Sequence, residues 1–229
     1  GYTPEQKVND AINWVSEESS NPWFLWLAFN LPHYPHHIPE VEGLASNGLD
    51  PNDHRSALDI MTARMDQEIG RLLKGIGEDE LENTIIVLIG DNGTTGEAND
   101  PPFHPDRGKF TLYEGGVRVP LIIAGPGIPD GVQSDVMVNS TDLFATLIEL
   151  TGSEIPDGLV HDSISLRLIL IIHQLLQSGI ICMQMPFMRV AVLKKGRLQS
   201  EMPTTSLSAG MITKSSMILS WTPMKIRIY

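Results

Sequence analysis

The 229 residues contain one cysteine, Cys182. That scarcity excludes an internal disulfide framework and any zinc site built from several thiolates. Positive charge is also scarce: 16 Lys and Arg face 28 Asp and Glu, a net of −12. A chain of that sign does not bind nucleic acid through the phosphate backbone. The opening "GYTPEQKVND" lacks Met, a basic n-region and an apolar h-region, as expected of a piece of a longer protein. No stretch is apolar enough to span a bilayer, since the run after Arg167 carries His173, Gln174 and Gln177 and is broken by Gly179. Internal repeats and low-complexity linkers are absent as well.

What is present suits a globular protein: 41% hydrophobic residues, in a chain long enough to bury a core. The charge is unevenly spread. Residues 1–166 hold 27 acidic and 8 basic residues, a net of −19, while 167–229 hold one acid, Glu201, and 8 bases, a net of +7. The same tail carries 7 of the 10 methionines. Two parts of one ordinary domain rarely differ so far, which divides the chain at 1–166 and 167–229.

Within the first part, Val8, Ile12 and Val15 recur at helical spacing, which predicts a helix over 4–18. "PWFLWLAFN" (22–30) reads as a central strand, and "LPHYPHHIPE", with three prolines, as a loop. Leu58, Met61, Met65, Ile69 and Leu72 share one face of a helix over 55–75, ended by Gly75 and Gly77. "NTIIVLIG" and "VPLIIAGPG" predict two further strands, and "DVMVN" a short fourth. "STDLFATLIELTG" predicts a helix with Ser140 or Thr141 as N-cap, Asp142 in its first turn and Gly152 at C′. Alternating strands and helices imply an α/β fold with a largely parallel, mixed central sheet flanked by helices.

Three stretches carry candidate chemistry. In "IGDNGTTGEA", Asp91-Asn92-Gly93 reads either as a hairpin turn or as a pair of hard oxygen ligands beyond a strand's carboxyl end, suited to Ca²⁺ with Mg²⁺ as the alternative. A hairpin needs a second strand at once, and "TTGEANDPPFHPDRGK" is not one. In the proline-rich loop, His33, His36 and His37 read as incidental surface histidines or as groups on the same rim as Asp91; the prolines forbid the helix that would align them on zinc. In "DRGKFTLYEGGVRVP", Lys109 reads as a solvated lysine or an anion contact.

Taken together, "WFLWLAFNLPHYPHHIP", "RMDQEIGRLLK…NTIIVLIGDNG", "GKFTLYEGGVRVPLIIAGPG" and "STDLFATLIELTG" resemble the sulfatase family of the alkaline-phosphatase-like superfamily, in order and approximate spacing, over residues 2–166. The resemblance implies hydrolysis of a sulfate monoester, on a sulfated small molecule or sulfated carbohydrate, in a periplasmic or secreted enzyme. It implies calcium ligation by Asp91 and Asn92, sulfate contact by Lys109, and sulfate binding with leaving-group protonation by His33. Tyr113, Glu114, Gly115, Gly116 and Arg118 match a structural signature that returns the chain to the sheet. Tyr34, His36, His37 and His104 are candidates for the substrate pocket. A phosphonate or phosphate monoester hydrolase shares these motifs, and a non-catalytic binder of sulfated glycans or calcium could keep His33 and Lys109.

The family's nucleophile is a formylglycine made within a Cys-x-Pro-Ser-Arg signature, and this sequence has none: Cys182 lies in "IICMQMPFM". Its first two aspartate metal ligands and a second basic pair are expected upstream of residue 1. The chain alone is therefore expected to be inactive. After "HDSISL" (161–166) the likeness stops. Read one nucleotide earlier, "SSMILSWTPMKIRIY" permits E-L-Y-D-L-(I/V)-V-D-P-Y-E-N-T-N-L, with an acid forced after Met217, Trp221 and Met224. C-terminal segments of the family read in a similar way. A frameshift near Leu166–Arg167 explains the lost acids and surplus methionines together, and implies a poorly packed tail.

Overall fold

A computed structural model describes residues 2–18, 20–43, 48–50 and 52–170, with backbone strands at 183–185, 188–194 and 225–228. Helix α1 (Thr3–Glu18) precedes strand β1 (Trp23–Leu27), and helix α2 (His54–Ile76) is followed by the short α3 (Glu78–Leu81) and strand β2 (Thr84–Gly90). Helical turn α4 (Glu114–Val117) leads into β3 (Val119–Ala124), and α5 (Asp142–Leu150) follows. The tail contributes β4 (Met183–Met185), β5 (Met188–Lys194) and β6 (Lys225–Ile228). No helix among the described residues is long and apolar enough to cross a membrane.

The layers follow from which residues face which way. Trp23, Leu25 and Leu27 of β1 pack with Val8, Ala11, Trp14 and Val15 of α1 and Leu72 of α2. From β2, Ile86 and Leu88 join that side, whereas Ile85, Val87 and Ile89 face Leu143 of α5, Val138 and Leu166. Alternation along the strands thus places α1 and α2 on one face of the sheet and α5 on the other. An α/β architecture results.

Sheet order is β4-β3-β2-β5-β1-β6, and only β1–β6 is a parallel pair. The expected largely parallel sheet is therefore not what these neighbours form. The physical reason is β5, which runs antiparallel to both β1 and β2 and lies between them. Those two strands consequently share a direction without touching. "DVMVN" forms no strand either; residues 133–139 have no regular secondary structure. The expectation of a poorly packed tail concerns side chains outside the described residues, as do Cys182 and His173.

Helix ends explain most boundary differences. At α2, Asp53 accepts the Ser56 N–H at 3.3 Å and its hydroxyl at 2.6 Å, so the helix begins at His54. Gly75 does not end α2, which continues to Ile76 and stops at Gly77 (φ 86°). Gly75 instead provides clearance: a Cβ there would lie 2.5 Å from Ile12 Cδ1 of α1. At α5, neither Ser140 nor Thr141 caps through its side chain. Asn139 Oδ1 accepts the Thr141 N–H, and Asp142 Oδ2 accepts the Asn139 N–H. Gly152 (φ 74°) closes α5 as expected, its N–H reaching Glu149 O while Ser153 N–H reaches Ile148 O.

Candidate functional site

Because β1 and β2 point the same way, their carboxyl ends deliver the Pro-His loop and Asp91-Asn92 to one rim of the sheet. That rim is where open α/β sheets place ligands. Strand β3 runs antiparallel to β2, with Ile89 opposite Leu121, so the segment entering β3 arrives at the same rim. A cavity of ≈ 360 Å³ opens there. His33, Tyr34, His36, Asp91, Asn92 and Lys109 border it, with Phe29, Leu31, Leu58, Met65 and Leu88 on its apolar wall.

Backbone contact, rather than side-chain packing, holds the polar part of the rim. Gly93 N–H donates to Gly116 O at 3.0 Å, and Lys109 N–H donates to Thr94 O at 2.7 Å. Added Cβ atoms would meet Gly115 O at 1.8 Å from Gly93 and Thr94 O at 2.4 Å from Gly108. No side chain fits at either place, which is why the sequence has glycine there.

Asp91 and Asn92 are half-buried. The Asp91 carboxylate has no hydrogen-bond or ion-pair partner among the described residues. Asn92 Nδ2 donates to Gly93 O at 3.2 Å, leaving Oδ1 without a partner in that set. Two hard oxygens turned to a cavity fit a calcium-like ion as part of a ligand set. No cluster of three or more His, Cys, Asp or Glu that could hold a metal occurs among the described residues. Lys109 Nζ lies 5.4 Å from the Phe110 ring centroid and pairs with no carboxylate in the described set. His33 is exposed, and its Nδ1 lies 2.6 Å from Tyr34 O. A carbonyl only accepts, so Nδ1 carries a proton and Nε2 is the atom left for exchange.

Two pocket candidates sit elsewhere. His37 Nδ1 donates to Pro35 O at 3.1 Å, and its Nε2 accepts from Tyr2 OH at 2.9 Å, tying the loop to the start of α1. His104 Nδ1 accepts the Asp106 N–H at 3.2 Å and caps the short turn Pro105–Arg107. Neither borders the cavity. Arg118 does, beside a 3.5 Å ion pair with Glu114. Arg118, which the resemblance gives only a structural part, stands at the entry to β3 on the rim shared with β2.

One rim of the α/β sheet thus carries a lysine, an imidazole and two oxygens that have no protein partner among the described residues. The chain belongs to the sulfatase family, whose sequence model matches residues 1–153. It is 30% identical to a sulfatase of Formosa agariphila, over 68% of this chain and 31% of that protein. An ulvan-active sulfatase of the same organism is 29% identical over 72% of this chain and 35% of its own length. Human arylsulfatase K is 24% identical over 67% of this chain and 37% of its own. The chain thus spans about a third of the length of the curated relatives it matches.

Proposed function

We propose that the chain is part of a sulfuric ester hydrolase acting on a sulfated small molecule or carbohydrate, and that alone it is inactive. One observation carries the reading: His33, Asp91, Asn92 and Lys109, far apart in sequence, border a single cavity. Lys109 neutralises sulfate oxygens as negative charge grows on the leaving side. His33, in its imidazolium form with Nδ1–H held by Tyr34 O, passes its Nε2 proton to the departing oxygen and is left neutral. Asp91 and Asn92 would hold a divalent ion, which when bound adds positive charge beside the sulfate. The nucleophile, a formylglycine from a Cys-x-Pro-Ser-Arg segment, is not encoded in this chain.

The test has two parts. This chain should bind inorganic sulfate, lose it on Lys109→Ala, and release no nitrophenol from 4-nitrophenyl sulfate. A protein extended upstream to include the signature, matured and supplied with calcium, should cleave that ester faster than the matching phenylphosphonate. Faster phosphonate cleavage would move the assignment to the phosphonate hydrolases.

The same reading treats 167–229 as out of frame. The family match ends at residue 153, ahead of the tail with its single acid.

A further inference from the structure

The contact between His36 and His54 has no part in the chemistry above. His36 comes from the loop after β1 and borders the cavity; His54 is the first residue of α2 and does not. Their Nδ1 atoms are 3.1 Å apart, with ring centroids at 5.2 Å. Two imidazole nitrogens at that separation share one proton. One ring donates N–H, and the other accepts, so the acceptor is neutral and keeps its own proton on Nε2.

The surroundings decide which ring accepts. Burial first, then the neighbouring His54, lower the His36 pKa, with His33 and His37 adding to this and Glu97 opposing it. On α2, Asp53 caps the helix beside His54, and Arg55 is engaged with Asp59 and Asp100. Burial, reinforced by the neighbouring imidazoles, disfavours a second proton on His36, so in this contact His36 accepts at Nδ1. Its Nε2 has no hydrogen-bond partner among the described residues. Tyr34 meets the His36 ring edge-on at 5.7 Å, on the same cavity border.

We propose that His36 binds substrate by presenting Nε2–H to an oxygen of the leaving group of a carbohydrate sulfate, and that His54 is a positioning residue that fixes this tautomer. A sugar hydroxyl or ring oxygen can accept that bond, and the ring carbons of an aryl sulfate cannot. The assignment rests on reading the cavity as a sulfate-ester site.

The full chain is titrated with glucose 6-sulfate and with inorganic sulfate, and its imidazole nitrogens are followed by long-range ¹H–¹⁵N NMR. His36 should show the Nε2–H tautomer, and His54→Ala should convert it to a mixture. His36→Phe should weaken glucose 6-sulfate binding about tenfold while leaving inorganic sulfate unchanged. His36→Gln, which keeps an N–H donor, should recover affinity to within about threefold. A His36 ring protonated on Nδ1, or His36→Phe binding both ligands as the parent does, overturns the proposal. If His36→Phe fails to fold, the tautomer of the parent and the His36→Gln titration still decide. Lys109→Ala separates the two readings. Loss of both ligands with His36→Phe unaffected defeats only the His36 assignment; retention of both, or no sulfate binding by the parent chain, defeats the sulfate site and this inference with it.

Discussion

The Gly93 N–H donates to the Gly116 carbonyl at 3.0 Å, joining the turn that ends β2 to the turn that enters β3. The next residue, Thr94, accepts the Lys109 N–H, so this contact and its neighbour set where the ammonium group stands relative to Asp91. Gly93→Ala would place Cβ 1.8 Å from Gly115 O, against backbone that cannot rotate away. The expected cost is about 3 kcal/mol, at the upper end of overpacking, with loss of sulfate binding. Urea denaturation measures it, and a change under about 1 kcal/mol would show that the two turns do not need this approach.

How far the site could be read beforehand depends on which forces set each part. Asp91-Asn92 was legible because a β-branched run stopping at a polar turn, with no partner strand behind it, points to a strand end. The role of His37 was not, since it is decided by Tyr2, 35 residues away, and His104 serves a local cap rather than the cavity. Gly75 shows the same limit: glycine reads as a stop signal, but Ile12 on another helix explains it. The three long apolar runs form strands as read, at 23–27, 84–90 and 119–124, whereas "DVMVN" does not, and pairing was not legible because β5 comes from the segment least like the rest of the chain.

An unpartnered carboxylate gives a distinctive calcium response. Asp91→Asn removes no protein contact among the described residues, so stability without metal should stay within about 0.5 kcal/mol of the parent. Calcium at about ten times its dissociation constant should stabilise the parent by about 1.4 kcal/mol and leave Asp91→Asn unmoved. Thermal melts with calcium and with a chelator make the comparison. Equal calcium shifts in both proteins would remove Asp91 from the metal site.

Acid should act through His36. Its pKa in the folded protein lies below the usual histidine value, chiefly through burial, while the unfolded chain titrates near the ordinary ~6.5. Between the two values the unfolded state binds more protons, so stability is full above the ordinary value and falls as pH drops toward the lowered one. The parent should lose more in Tm between about pH 7.5 and about pH 5.5 than His36→Gln. Parallel losses in the two proteins would mean that His36 contributes nothing to the acid response.

Glu68 joins the two helices beneath the cavity wall. Its carboxylate, 3% exposed, accepts from Arg64 at 2.9 Å and from Arg71 at 2.5 Å. Those arginines reach α1, Arg64 at Glu5 and Arg71 at Asn9 and Glu5 O. Glu68→Ala leaves two guanidinium groups without their shared acceptor and should cost about 3 kcal/mol. Glu68→Gln, which keeps an acceptor, should cost less. A loss below about 1 kcal/mol for Glu68→Ala, measured by urea denaturation, would show that the two arginines hold α1 to α2 without their shared acceptor.

β1 and β2 share a direction, and both are apolar on both faces, as strands at the centre of a parallel sheet are. Only β5 keeps them apart, and it belongs to the segment that a one-base shift would turn acidic after Met211, Met217, Trp221 and Met224. If 167–229 is out of frame, the source DNA differs by one base near the Leu166 and Arg167 codons. The corrected protein would then be free to pair β1 directly with β2. Resequencing across that junction is the measurement. A read that returns the present sequence would make β5 a genuine strand of this protein, inserted where a parallel pair would otherwise form, and would end the frame argument.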